Sequence, residues 1–207
     1  MNKIIDAFWR FVSVVMTPLL MPTYGVFLAL WATVLCYIEV GTRLMVLIMV
    51  AAITCLLPMI FIAVLHNAKV ITDKRLVNRK ERWLPYICMI VCYIAAAFYL
   101  QYVHSPSWVV AIVWGALASA VVATVVTLWW KISAHATGAG GLLAVTLCIH
   151  DFGLSVFNML GVVIVVILLC GLVCTSRLVL KRHTPMQLLA GFFNGYLCVD
   201  LMMRILG

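Results

Sequence analysis

Long apolar runs alternate with short polar islands along this chain. Seven runs stand out, near residues 8–35, 44–66, 84–103, 107–130, 136–150, 154–175 and 186–205. A helix needs about 20 apolar residues to cross a bilayer, and most of these runs are that long. The fifth is short, and Gly138, Gly140 and Gly141 crowd its start. Asp151-Phe152-Gly153 separates it from the sixth, which predicts a tight hairpin between two spans. No linker, repeat or low-complexity tract divides the chain. The pattern predicts an all-α, polytopic transmembrane bundle of about six to seven spans, one domain over 1–207.

Composition supports the membrane assignment. Of 207 residues, 67% are hydrophobic and 10% charged, with a mean hydropathy of +1.21. The surface of a soluble domain must be largely polar, and so little polar side chain could not cover one. Met1-Asn2-Lys3 leads into an apolar run with no small-residue cleavage site, so the start reads as a first span and not a removed signal. The eight cysteines lie in or beside apolar runs with no Cys-x-x-Cys pair. Cys88/Cys92 and Cys170/Cys174 stand one helical turn apart, which suits packing of free thiols.

Seven crossings put the N-terminus and the loops 66–83, 131–135 and 176–185 on one membrane face. The loops near 36–43, 104–107 and 151–153 and the C-terminus fall on the other. Of fourteen Lys and Arg, only Arg43 and Arg204 belong to that second face. The positive-inside rule makes the basic face cytoplasmic, although bases recruited to hold phosphate inflate the count. The net charge of +8 is therefore read as a match for membrane lipids and phosphates and not for nucleic acid. Trp9, Trp83, Tyr86, Trp108, Trp129 and Trp130 lie near span ends, as an interfacial aromatic belt does.

The polar islands carry the candidate chemistry. In Ser176–Pro185, Thr184 suits an N-cap, Pro185 the first helical position and Gln187 the capping-box position. His183 then precedes a helix N-terminus, where free N–H groups and the dipole favour an anion. Arg177 adds a planar fork for phosphate oxygens. The second island repeats this with Ser133 and His135 before a glycine-rich span, and the first supplies Lys74, Arg75, Arg79 and Arg82. Two histidines, several arginines, a serine and two helix starts suit phosphoryl transfer with neither metal nor cofactor. Lys181 and Arg182 read more simply as bases facing lipid headgroups, and Gln187 also as a helix cap. Gly191-Phe192-Phe193-Asn194-Gly195 is a small-residue pattern for close helix packing.

These residues resemble the type 2 phosphatidic acid phosphatase superfamily. Ser176-Arg177, five residues and His183 match its third signature. Ser133-Ala134-His135 resembles the second, Pro-Ser-Gly-His, with Ile132 for Pro and Ala134 for Gly. The first, Lys, six residues and Arg-Pro, is met only in part, by Arg75, six residues and Arg82, with proline delayed to Pro85. The likeness covers about residues 69 to 195, in the family's order. It implies a membrane lipid-phosphate phosphatase with His183 as nucleophile, forming a phosphohistidine, and His135 as general acid. Arg177, Ser133, Arg79 and Arg82 would hold phosphate, with Arg75 or Lys74 in the place of the family lysine. The family carries Asp four residues after the nucleophile to orient its ring; here that residue is Gln187. Reduced activity, a substitute group and a degenerate relative all remain open at this point.

The expected substrate is an amphiphile such as phosphatidic acid, phosphatidylglycerol phosphate, a lipid A phosphate or an isoprenyl phosphate or pyrophosphate. The expected location is the bacterial inner membrane, with the charge bias pointing to the cytoplasmic face and the resemblance to the periplasmic one. One rival is a non-catalytic protein that binds anionic headgroups with the same loops. Another is a small transporter, which should carry its polar residues at mid-membrane.

Overall fold

A computed structural model describes residues 3–71 and 83–207. The described residues form helices α1 (Lys3–Val15), α2 (Met21–Ala32), α3 (Val40–Ala51), α4 (Leu57–Asn67), α5 (Trp83–Tyr102), α6 (Ser107–Thr127), α7 (Ala134–Asp151), α8 (Leu160–Val179) and α9 (Pro185–Leu206), and no strand. Among the described residues, six segments are long and apolar enough to cross a membrane: Ile4–Ala32, Val40–Asn67, Trp83–Tyr102, Ser107–Thr127, Leu160–Val179 and Pro185–Leu206. The protein is a multi-pass, all-α membrane bundle.

The helix α7 is the exception in composition because it is the centre of the bundle. Eleven of its 18 residues are buried, several of them Gly, Ala or Thr. A helix packed on all sides by other helices needs small side chains more than greasy ones. The seam with α9 shows why. A Cβ on Gly191 would stand 2.6 Å from the Ser133 carbonyl oxygen, one on Gly195 would strike the Thr137 carbonyl, and one on Gly140 the Phe192 carbonyl. The Gly191–Gly195 pattern thus does what the sequence suggests, and it brings the starts of α7 and α9 side by side. The Ser133 N–H donates to the Gln187 carbonyl across the seam at 3.2 Å.

Two boundaries differ from the sequence expectation. The first run, expected as one span over 8–35, is broken: Thr17 is extended, and Pro18 and Pro22 start a short 3-10 turn and α2. Proline has no N–H to continue a helix but fits a first turn, so two helices form where hydropathy shows one run. At 13 residues, α1 is about 20 Å long, short of the hydrocarbon core. It is amphipathic, as a helix lying in the interface is. The helix of the sixth run, α8, starts at Leu160 and not near 154, because Val156 donates its N–H to the Ala32 carbonyl at 3.0 Å before the helix begins. The fifth and sixth runs form separate helices, α7 and α8, and the turn between them places Gly153 at φ +62°, where a side chain is disfavoured. A π-turn over Ala52–Leu56 joins α3 to α4 just ahead of Pro58, so the pair crosses as one rod.

The eight cysteines are free. Trp129 and Trp130 are exposed just beyond α6, and Trp83 at the start of α5, as a belt requires. Tyr86 departs from that expectation: it is buried and turns inward.

Candidate active site

The end of α8 shows why Arg177 and His183 are six residues apart. The Arg182 N–H bonds the Arg177 carbonyl at 3.0 Å and the Lys181 N–H bonds Leu178 at 2.9 Å, with Lys181 at φ +50°. This paired closure of a helix C-terminus reverses the chain within a few residues. His183 follows, and α9 begins at once. Arg177 therefore lies one turn inside α8 while His183 stands just outside α9, both at the same end of the bundle.

The start of α9 carries the expected capping box. Thr184 Oγ1 accepts the Gln187 N–H at 3.4 Å, and Gln187 Oε1 accepts the Thr184 N–H at 3.2 Å. The same Oε1 lies 3.2 Å from His183 Nδ1. The amide oxygen is already an acceptor in the cap, so its contact with His183 is a bond when Nδ1 carries the proton. Gln187 thus caps α9 and orients the imidazole with one atom, so the two sequence readings of this residue are compatible.

The start of α7 is built differently. Ser133 is fully buried, and its Oγ accepts the Ala136 N–H at 3.3 Å as an N-cap. His135 is half-buried on the first turn, with Nε2 3.0 Å from the Ser13 carbonyl and 3.3 Å from the Ser13 hydroxyl. Arg177 Nη1 donates to that same hydroxyl at 2.6 Å. Lys131 Nζ donates to the Arg182 carbonyl at 3.4 Å, tying the second island to the third. The second and third islands meet, as the crossing count requires. Ser176 is fully buried and bonds the Val173 carbonyl of its own helix at 2.7 Å, a packing role. Lys74, Arg75, Arg79 and Arg82 lie outside the described residues.

Ser13 has no counterpart in the sequence reading. It sits in an unremarkable apolar stretch, and no motif marks it. Only the periodicity of α1 could have pointed to it, since Ser13 adjoins Val12, which with Met16 turns into the bundle while Phe8 and Phe11 face out.

Beneath the motif residues lies an apolar crevice. It runs from Ala134 and Thr137 on α7 past Tyr86 and Tyr93 on α5 and Ala120 and Ala123 on α6, down to Val145 and Val199. Its free volume of about 50 Å³ is too small for an alkyl chain unless side chains move. The opposite end of the bundle holds a separate polar group: Arg204 Nε bonds Asp200 at 2.9 Å, and Cys148 Sγ lies 3.4 Å from the same carboxylate. Asp200 is thus committed far from His183, about 25 Å along the helix. Arg43, also at that end, is buried with its guanidinium 5.0 Å from the Trp31 ring.

No family model matches the chain, and neither does any curated protein or solved structure.

Proposed function

We propose that this protein is a metal-independent phosphatase of lipid phosphates, in the manner of the type 2 phosphatidic acid phosphatases. The observation that carries the reading is the convergence, at one end of a membrane bundle, of Arg177, an oriented His183 and the helix start bearing His135. Helix N-termini and a guanidinium attract phosphate. An imidazole whose Nδ1–H is held by an acceptor offers Nε2 as nucleophile.

In the proposed reaction, His183 Nε2 attacks phosphorus and the bond from phosphorus to the lipid oxygen breaks. His135 gives its proton to that departing oxygen, and Arg177 offsets charge on the equatorial oxygens. Water then attacks the phosphohistidine, His135 takes its proton, and inorganic phosphate leaves with His183 restored. The crevice beside Ala134 and Thr137 supports an amphiphilic substrate, since it begins at the motif helix, is lined mostly by apolar side chains and admits an alkyl chain once those side chains move. The phosphate would sit at the island face and the chain between α5, α6 and α7. The proposed location is a bacterial inner membrane; the basic loops favour a cytoplasmic site and the family likeness a periplasmic one. The transporter reading is weaker, because the charged islands gather at the bundle end and Asn194 and Thr54 within the bundle are engaged: Asn194 Nδ2 bonds the Ser119 carbonyl at 3.0 Å, and Thr54 bonds Val50 at 2.9 Å.

The test is phosphate release from phosphatidic acid and isoprenyl phosphates in mixed micelles containing chelator. His183→Ala should abolish release. His135→Ala should retain more activity on an aryl phosphate, whose leaving group needs no proton, than on an alkyl phosphate. Full turnover by His183→Ala refutes the nucleophile assignment.

A further inference from the structure

We infer that Ser13, carried by the amphipathic helix α1, is a positioning residue of the phosphate site, holding the Arg177 guanidinium and the His135 ring against each other. This rests on the phosphatase reading above and adds a third chain element to it.

The contact is specific. Ser13 Oγ accepts from Arg177 Nη1 at 2.6 Å, a short bond of the charge-assisted kind. The same residue meets His135 Nε2 through its carbonyl at 3.0 Å and its hydroxyl at 3.3 Å. One residue of α1 thus spans the end of α8 and the start of α7, the two elements whose relative placement any phosphate held by both depends on. Arg177 has five N–H donors in a fixed fork, so a bond to Ser13 fixes the plane of the guanidinium. A carbonyl beside Nε2 favours the tautomer with its proton there.

The position of Ser13 is itself secured. Val12 and Met16 are buried beside it, and Tyr24 Oη donates to the Val15 carbonyl at 2.8 Å, tying the end of α1 to α2. Phe8 and Phe11 are exposed on the outer side, where lipid can hold the helix against the bundle. Arg10 and Asp6 pair on the helix surface at 2.7 Å and take no part in the contact.

The experiment is a titration of the full chain in detergent micelles with orthovanadate, a mimic of the transferring phosphoryl group, read by tryptophan fluorescence. The variants are Ser13→Ala, Ser13→Thr, Arg177→Ala and the double variant Ser13→Ala/Arg177→Ala. Removing a bond to a charged group should weaken vanadate binding about tenfold in Ser13→Ala, while Ser13→Thr, which keeps the hydroxyl, stays within about twofold. If Ser13 acts through Arg177, the double variant binds no more weakly than Arg177→Ala alone. Ser13→Cys, close in size and a weaker acceptor, replaces Ser13→Ala if the latter does not fold. Unchanged binding in Ser13→Ala, tighter binding, or losses that add in full each overturn the positioning role and leave the phosphatase reading standing. A wild-type protein that binds no vanadate overturns both.

Discussion

Replacing Gln187 separates its two jobs. Its Oε1 makes two contacts of 3.2 Å, to the Thr184 N–H and to His183 Nδ1. Each is a neutral bond at the long end of the usual range, worth about 0.5–1 kcal/mol net. Gln187→Ala removes both. Its cost to stability is then about 1–2 kcal/mol, and the part belonging to His183 enters the reaction barrier. At 1.36 kcal/mol per tenfold, that part lowers kcat about two- to fivefold. Thr184→Ala removes the other arm of the cap, the 3.4 Å bond from the Gln187 N–H, and leaves the imidazole contact in place. It should cost about 1 kcal/mol of stability with kcat within about twofold. Gln187→Glu keeps the length of the side chain, suits the capping-box position, and puts a carboxylate on the Nδ1–H. A charge-assisted bond is about twice as strong as a neutral one, so kcat should rise about two- to fivefold. The assay is initial-rate hydrolysis of phosphatidic acid in mixed micelles, with thermal unfolding of each variant measured alongside. Equal kcat in Gln187→Ala and Thr184→Ala, at equal stability loss, would show that Gln187 only caps the helix and would refute its orienting role.

Other substitutions probe the frame around the site. Gly191→Ala drives a methyl to 2.6 Å from the Ser133 carbonyl, and the overpacked seam should cost about 1–3 kcal/mol and lower kcat by displacing the α7 start, read by thermal unfolding and hydrolysis rate. Lys181→Gly relieves a left-handed backbone residue and should raise stability by about 0.5–1 kcal/mol with unchanged kcat, because Lys181 is exposed and outside the proposed chemistry. Ala120→Phe blocks the crevice and should raise KM for long-chain lipid phosphates while leaving a short soluble phosphate ester unaffected; equal effects on both would remove the crevice from the substrate path.

Much of the fold is legible in the chain because each span is a continuous apolar run, and the count of runs fixes which loops share a face. The meeting of the second and third islands follows from that count, and the bond from Lys131 to the Arg182 carbonyl bears it out. Thr184, Pro185 and Gln187 are legible because capping chemistry is local. What hydropathy misses is the break at Thr17–Pro18, since Met16 and Leu19 on either side are as apolar as any helix interior. The late start of α8 is missed for a similar reason: residues 154–159 are held by a tertiary bond to Ala32 that leaves no local mark. Ser13 is illegible for a third reason, because its meaning comes from partners 122 and 164 residues away. Both readings of Gln187 are legible, the cap by spacing and the place beside His183 by resemblance; what the chain does not show is that the Thr184 N–H and the His183 ring meet the same oxygen.

The most direct test is to trap the covalent intermediate. Purified protein is mixed with phosphatidic acid carrying radiolabelled phosphate, quenched within a turnover in alkaline detergent, and digested. The account predicts acid-labile, base-stable label on the peptide containing His183, absent from His183→Ala and accumulating in a variant of His135 whose water attack is slowed. Label on another residue, or undiminished phosphate release by His183→Ala, would contradict it.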